Sequence, residues 1–339
     1  FSSFLQDMGF RTCTHDTSLF TLRHPRGLVI ILLYVDDIVI TGRSSTLISI
    51  ITKAMHQNFH LKDLGHLHYF LGIEVLRTSS SLLLHQSKCT EELLPRAGIA
   101  ESKTAPTPMA VRPLSASDNR LFDNPTLYQS IVGGLHYLAV TRPDIQYAVN
   151  RVSQSMHAPT EQKFQALKRI LRYLKGSSRR GLLFQKGNLD LSVYSDSDWA
   201  NDKDDRPSTT GYILFHGPNL ISWCTKKQTR VSRFPPKWLD HIMDALGLPP
   251  FRQKIYCDNE STICVTKNPV LYDRMKHVGS DCHFVREQVM AGTMSTHHVP
   301  SSEQLADILT KPLPPAAFHY LATKLPLVPV DHGCTPLNQ

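Results

Sequence analysis

Leu32-Leu33-Tyr34-Val35-Asp36-Asp37-Ile38-Val39-Ile40-Thr41-Gly42 sets two adjacent aspartates between two strongly apolar runs. The upstream run reaches back to Leu28 and follows a further β-rich stretch, Ser18 to Arg23, across the turn signal His24-Pro25-Arg26-Gly27. The pattern predicts antiparallel strands with Asp36 and Asp37 at a hairpin tip. Ionised carboxylates resist burial without a partner, and an Asp-Asp turn at a solvated tip is common. The flanks tilt the reading. Strands this hydrophobic are buried, and carboxylates at their junction face a cleft where Mg²⁺ could neutralise them.

Downstream, Leu47, Ile50, Ile51, Ala54, Met55 and Phe59 recur at helical spacing from Thr46 on, with Ser44 or Ser45 as N-cap. A strand over His66 to Leu76 and another over Leu82 to His85 follow. Residues 100 to 125 hold Pro106, Pro108, Pro113 and Pro125 among Ser, Thr and Asn, the composition of a linker. Three helices are predicted near 126–140, 144–156 and 161–175. Beyond Gly181 the period changes to strands: 181–185, 189–194, 211–216 and 220–224. Strand and helix then alternate to about Leu325. The expected domains are 1–100, a connector over 101–180, an α/β domain over 181–325 and a tail over 326–339.

Over 339 residues, 41% hydrophobic and 19% charged content reads as globular. Net charge of +8 and a pI near 9.1 suit a polyanionic partner, or simply a solvated basic surface. Seven widely spaced cysteines without C-x-x-C argue against a disulfide framework and a structural zinc site, and a reducing compartment fits best. Cys282-His283 and His297-His298 match no zinc spacing. The most apolar run, Leu28 to Val35, is too short to span a bilayer, and no signal peptide is visible. The sequence opens on Phe1 inside an already patterned segment, as a fragment or broken-gene product would.

A second set of carboxylates is scattered along the chain. Asp196 follows the alternating strand Leu191 to Tyr194, Asp258 closes the strand Lys254 to Cys257, and Asp307 lies in a helix-like stretch. Aspartates on two strand ends and one helix could converge on Mg²⁺, though unrelated turn and cap residues would look the same.

Tyr34-Val35-Asp36-Asp37 between apolar strands is the motif of a reverse-transcriptase palm, and Leu32 to Gly42 resembles the copia family of retrotransposons closely. So do Phe59 to Val75, Tyr128 to Leu138 and Thr141 to Met156. Arg206 to Tyr212, Ile221 to Gln228, Tyr256 to Asn259, Asp281 to Glu287 and His298 to Lys311 follow that family's RNase H in order. The resemblance implies an α/β (α+β) multidomain chain: a palm and thumb remnant followed by an RNase H-like domain with a mixed sheet. It implies Asp36 and Asp37 as polymerase carboxylates, and Asp196, Asp258 and Asp307 as three of four RNase H metal ligands, with Asp198 a neighbour. Mg²⁺, or Mn²⁺, would be the cofactor, with no small-molecule cofactor. The partner would be an RNA–DNA hybrid or duplex, in an intracellular, virus-like-particle setting away from membranes.

Two departures from the family pattern predict a defective enzyme. The further palm aspartate belongs upstream of the hairpin, where only Asp7 and Asp16 stand, neither in a suitable strand. The fourth RNase H ligand should be a Glu, yet residues 197 to 257 contain none. Phe234-Pro235-Pro236-Lys237 stands where a Glu-bearing helix should run, an apparent deletion of roughly twenty residues, more than the 10–14 of a typical helix. Asp240 and Asp244, four apart, should face water. Lys163, Lys168, Arg169, Arg172 and Lys175 crowd one helix that would lie along a duplex by phosphate contacts, or face solvent. The expected function is therefore a catalytically defective polymerase/RNase H fragment. The alternatives are a non-catalytic nucleic-acid-binding remnant and a pseudogene product that never folds.

Overall fold

The computed structural model describes residues 1–99, 101–111, 120–198, 209–227, 237–248, 252–267 and 287–330. The fold is mixed α/β with several antiparallel sheets, in two compact units: Phe1–Phe70 with Arg233–Phe251, and Leu71–Ser232 with Arg252–Gln339.

The first unit is built on an antiparallel meander of β1 (Arg11–Thr12), β2 (Leu19–His24), β3 (Gly27–Tyr34) and β4 (Asp37–Gly42). Helices α1 (Ser2–Asp7) and α2 (Ser45–Asn58) supply its core partners. Period-2 alternation places Phe20, Ile31 and Ile40 in one cross-strand row. Ile31 and Val29 are fully buried against Leu5, Leu47, Ile51 and Met55, each worth about 1.5–3 kcal/mol. Only one face of β3 is deeply buried; Leu28, Ile30 and Leu32 on the other are partly exposed, so the run is less enclosed than its composition suggests. Ser44 caps α2 by accepting from the Leu47 amide. Ile50 lies half exposed, off the apolar stripe.

The strand expected over His66 to Leu76 is broken into β5 (Tyr69–Phe70) and β6 (Ile73–Arg77). Leu71 and Gly72 between them both have positive φ, 48° and 69°, which a continuous strand cannot accommodate. A Cβ on Gly72 would also collide with the Tyr137 ring.

In the second unit, α3 (Ser87–Arg96), α4 (Pro125–Leu138), α5 (Gln146–Ser153) and α6 (Glu161–Lys175) share one core. Helix α3 escaped the periodicity reading because Pro95 interrupts its last turn. Tyr128, Ile131 and Leu135 of α4 are fully buried, and the Tyr128 hydroxyl donates to the Val152 carbonyl. The stretch read as a linker is packed where it is described: Ala105 and Thr107 are buried, and the Ala105 amide donates to the Arg172 carbonyl. Hydrogen bonds from α6 hold it in place, so it is no loose tether.

Strand β7 (Ser81–His85) pairs with β8 (Arg180–Gln185), which pairs with β14 (Leu327–Pro329), all antiparallel. That ladder joins residues 81–85, 180–185 and 327–329, which lie far apart in the sequence. The other sheet has the order β11 (Asn219–Lys227), β10 (Thr209–His216), β9 (Leu191–Asp198), β12 (Gln253–Cys257), β13 (Met294–His298). Strands β9, β12 and β13 are parallel and the rest antiparallel, the mixed sheet expected beyond 181. Helix α7 (Lys237–Ala245) groups with the first unit, where Arg23 donates to the Asp244 carbonyl and His241 stacks on His15. The apparent deletion near 234–236, Asp281 to Arg286 and Arg206 to Ser208 lie outside the described residues.

Candidate metal centre

Asp196 sits near the end of β9, directly opposite Gly211 of β10. Asp258 follows the last residue of the neighbouring parallel strand β12. Asp307 lies in a short 3₁₀ helix, Leu305–Leu309, laid against the same sheet. Side chains hold that helix in place. Gln304, fully buried, accepts from the Ala306 amide and donates to the Ser195 carbonyl. Thr225 of β11 donates to the Leu309 carbonyl at 2.7 Å. Thr310 donates to Asp196 Oδ2 at 2.5 Å.

Gly211 is what lets the helix approach. A Cβ there would stand 2.8 Å from both Leu309 Cβ and Thr310 Cγ2. Gly211→Ala should therefore displace the 305–310 segment and cost about 1–3 kcal/mol. Urea unfolding checks this, and wild-type stability in the variant would contradict the close approach.

These constraints bring one carboxylate oxygen from each of Asp196, Asp258 and Asp307 within 4.8 Å of one another, the one such cluster of acidic or metal-ligating side chains among the described residues. Asp307 is buried, and its neighbours are of like charge. Burial, with repulsion from Asp196 and Asp258 added, pushes its carboxyl up to about 7, although Lys311 acts the other way. Lys311 Nζ stands 2.9 Å from Asp307 and 3.6 Å from Asp196, while Ser301 donates to Asp258 at 3.1 Å. Three hard oxygen donors this close fit a divalent cation, whose oxygen ligands lie about 2.0–2.6 Å from the ion. Ser301, Gln304, Thr310 and Lys311 were all inside the His298–Lys311 motif, but only spatial proximity reveals their part.

Asp36 and Asp37 are exposed at the β3–β4 tip, with Tyr34 paired to Asp37. Val35, β-branched, holds φ 49° there, a strained turn of the kind that collects at functional sites. No third carboxylate gathers with them among the described residues. Asp16 instead accepts from the Ser18 amide and hydroxyl, and Asp7 is exposed.

On α6, Arg169 donates to Thr107, Arg172 to the Lys103 carbonyl and Lys175 to the Ser102 carbonyl. Lys168 Nζ lies 4.6 Å from the Phe164 ring centroid. Three of the five cations in the sequence reading thus hold the 102–107 segment. Asp244 is exposed; the Asp240 side chain lies outside the described set, as does that of Asp198. The five described cysteines are free, and no described helix is long and apolar enough to cross a membrane.

A family model described as reverse transcriptase (RNA-dependent DNA polymerase) matches residues 1–111. The chain is 45% identical over 95% of its length to a retrovirus-related Pol polyprotein from transposon RE1 of Arabidopsis thaliana, covering 23% of that protein. It is 32% identical over 93% of its length to the corresponding polyprotein from transposon TNT 1-94 of Nicotiana tabacum, covering 26%. An uncharacterized mitochondrial protein of Arabidopsis thaliana, AtMg00810, is 46% identical over 60% of the chain and 85% of its own length. No solved structure matches. Over nearly its whole length the chain is similar to part of the Pol polyproteins of retrotransposons, and its first third matches the reverse transcriptase family model. It spans about a quarter of the length of the polyproteins it matches.

Proposed function

We propose that the chain joins the rear of a reverse transcriptase, about residues 1–100, through a connector over 101–180 to an RNase H-like domain over 181–325. In this reading Asp196, Asp258 and Asp307 hold a divalent cation, Mg²⁺ or Mn²⁺. The observation that carries it is their convergence from β9, β12 and the 305–309 helix, elements separated by up to 111 residues. A bound cation would supply charge stabilisation and water activation at a phosphodiester. The chain's own part is to keep three carboxylates at contact range, with Thr310 and Ser301 fixing the orientation of Asp196 and Asp258.

The substrate class is an RNA–DNA hybrid, bound but not cut. The basic charge suits a polyanion, and residues 197 to 257 offer no Glu to complete the cage. Asp36 and Asp37 are the polymerase carboxylates of the same ancestry. Lys163, Lys168 and the exposed part of Arg172 remain the phosphate-contacting candidates on α6.

Calorimetric titration of the full chain with Mn²⁺ tests the cation reading. One site is expected, lost in Asp258→Asn and Asp307→Asn but kept in Glu91→Gln, an exposed change on α3. Equal binding by all four proteins would overturn it.

A further inference from the structure

Lys311 is held inside the carboxylate cluster, and the cation reading alone gives it no task. Its ammonium touches Asp307 Oδ1 at 2.9 Å and reaches Asp196 Oδ2 at 3.6 Å. These are enclosed partners: the two carboxylates are 9% and 10% exposed, against 30% for Lys311 itself. The pairing therefore differs from a surface salt bridge, which water and salt would screen. Lys311 is also placed by the chain, one residue beyond Thr310, whose hydroxyl is bonded to Asp196, and four beyond Asp307. Asp258 accepts from the Ser301 hydroxyl.

Three carboxylates within 4.8 Å repel one another unless positive charge stands among them. Lys311 provides it without any ion. A divalent cation would need oxygens that the ammonium already engages, and two cations cannot share them without strong mutual repulsion.

We infer that Lys311 is a built-in stand-in for the cation: it holds the centre together when no ion is bound, and a divalent ion enters by displacing it, so Lys311 sets the centre's affinity. This rests on the cation reading above, and its test separates the two.

K311M and K311R should be compared with the wild-type full chain at neutral pH, by thermal melting without metal and by calorimetric Mn²⁺ titration. K311M should melt several degrees lower without metal and bind Mn²⁺ about tenfold tighter or more, because the competing charge is gone. K311R keeps the charge and should stay close to wild type in both. If K311M is unfolded without metal, Mn²⁺ should restore a cooperative melt; failure to do so overturns the inference. Unchanged or weaker Mn²⁺ binding by K311M beside a binding wild type overturns it too, while leaving the cation site standing. If no variant and no wild-type protein binds Mn²⁺, the cation reading falls and takes this inference with it.

Discussion

Arg142→Leu is expected to destabilise the second unit by about 3–5 kcal/mol, because it leaves a carboxylate charged and unpaired in the core. Arg142 and Asp144 are 2% and 1% exposed. The guanidinium donates through Nε and Nη2 to both oxygens of Asp144, at 2.9 and 2.7 Å, and through Nη1 and Nη2 to the carbonyl and hydroxyl of Ser177. Tyr173 adds a third donor to Asp144 at 2.6 Å. Burial alone would raise the Asp144 carboxyl, but Arg142 and Tyr173 together hold it below the ordinary carboxylate value.

The sign of the pH dependence follows. A depressed folded value contributes stability above the ordinary carboxylate value, about 3.9, and loses it as pH falls below that. In the variant, Asp144 has lost its cation and burial raises its carboxyl, so protonation becomes a relief. The stability gap between variant and wild type should therefore narrow from pH 7 to pH 5. Denaturant unfolding at both values measures it. A loss under about 1 kcal/mol at pH 7, or a gap that widens on acidification, would contradict the account. Arg142→Leu combined with Asp144→Leu should recover much of the loss, since no buried charge is then stranded.

Sequence patterning reached the hairpin of Asp36 and Asp37, α2 with its cap narrowed to Ser44 or Ser45, the three helices α4 to α6 and strands β9 to β12 of the mixed sheet. These elements are local, and each obeys one period from cap to end. What it missed is set by contacts distant in sequence. Leu71 and Gly72 break a strand through positive φ, which no hydrophobic pattern encodes. The proline-rich 101–111 segment looked like a tether, yet Arg169, Arg172 and Lys175 grip it from a helix some seventy residues away. The same bonds explain why a basic helix was easy to read as a phosphate-binding face: charge is visible in sequence, its partner is not. Likewise, the three aspartates were named by their motifs, but Lys311 among them needed the 305–309 helix to be laid on β9 first.

The second large effect concerns chemistry. The chain is expected not to cut the RNA strand of an RNA–DNA hybrid, because its carboxylate cage lacks the Glu absent from residues 197 to 257. Removing one member of such a cage weakens the hold on a cation that would neutralise charge at the reacting phosphate. A segment from a Pol relative, inserted between Arg233 and Trp238 with its Glu, should take cleavage from undetectable to readily measured. The same insertion with Gln in place of that Glu should melt as cooperatively and cut little, which separates the chemical defect from any structural one.

The most direct measurement is a hybrid-cleavage assay with Mg²⁺ or Mn²⁺ on five proteins: the chain itself, its Asp258→Asn variant, the Glu insertion, the Gln insertion, and the Glu insertion carrying Asp258→Asn. Cleavage by the Glu insertion alone is the predicted result. Cleavage by the unmodified chain that disappears in its own Asp258→Asn variant would contradict it.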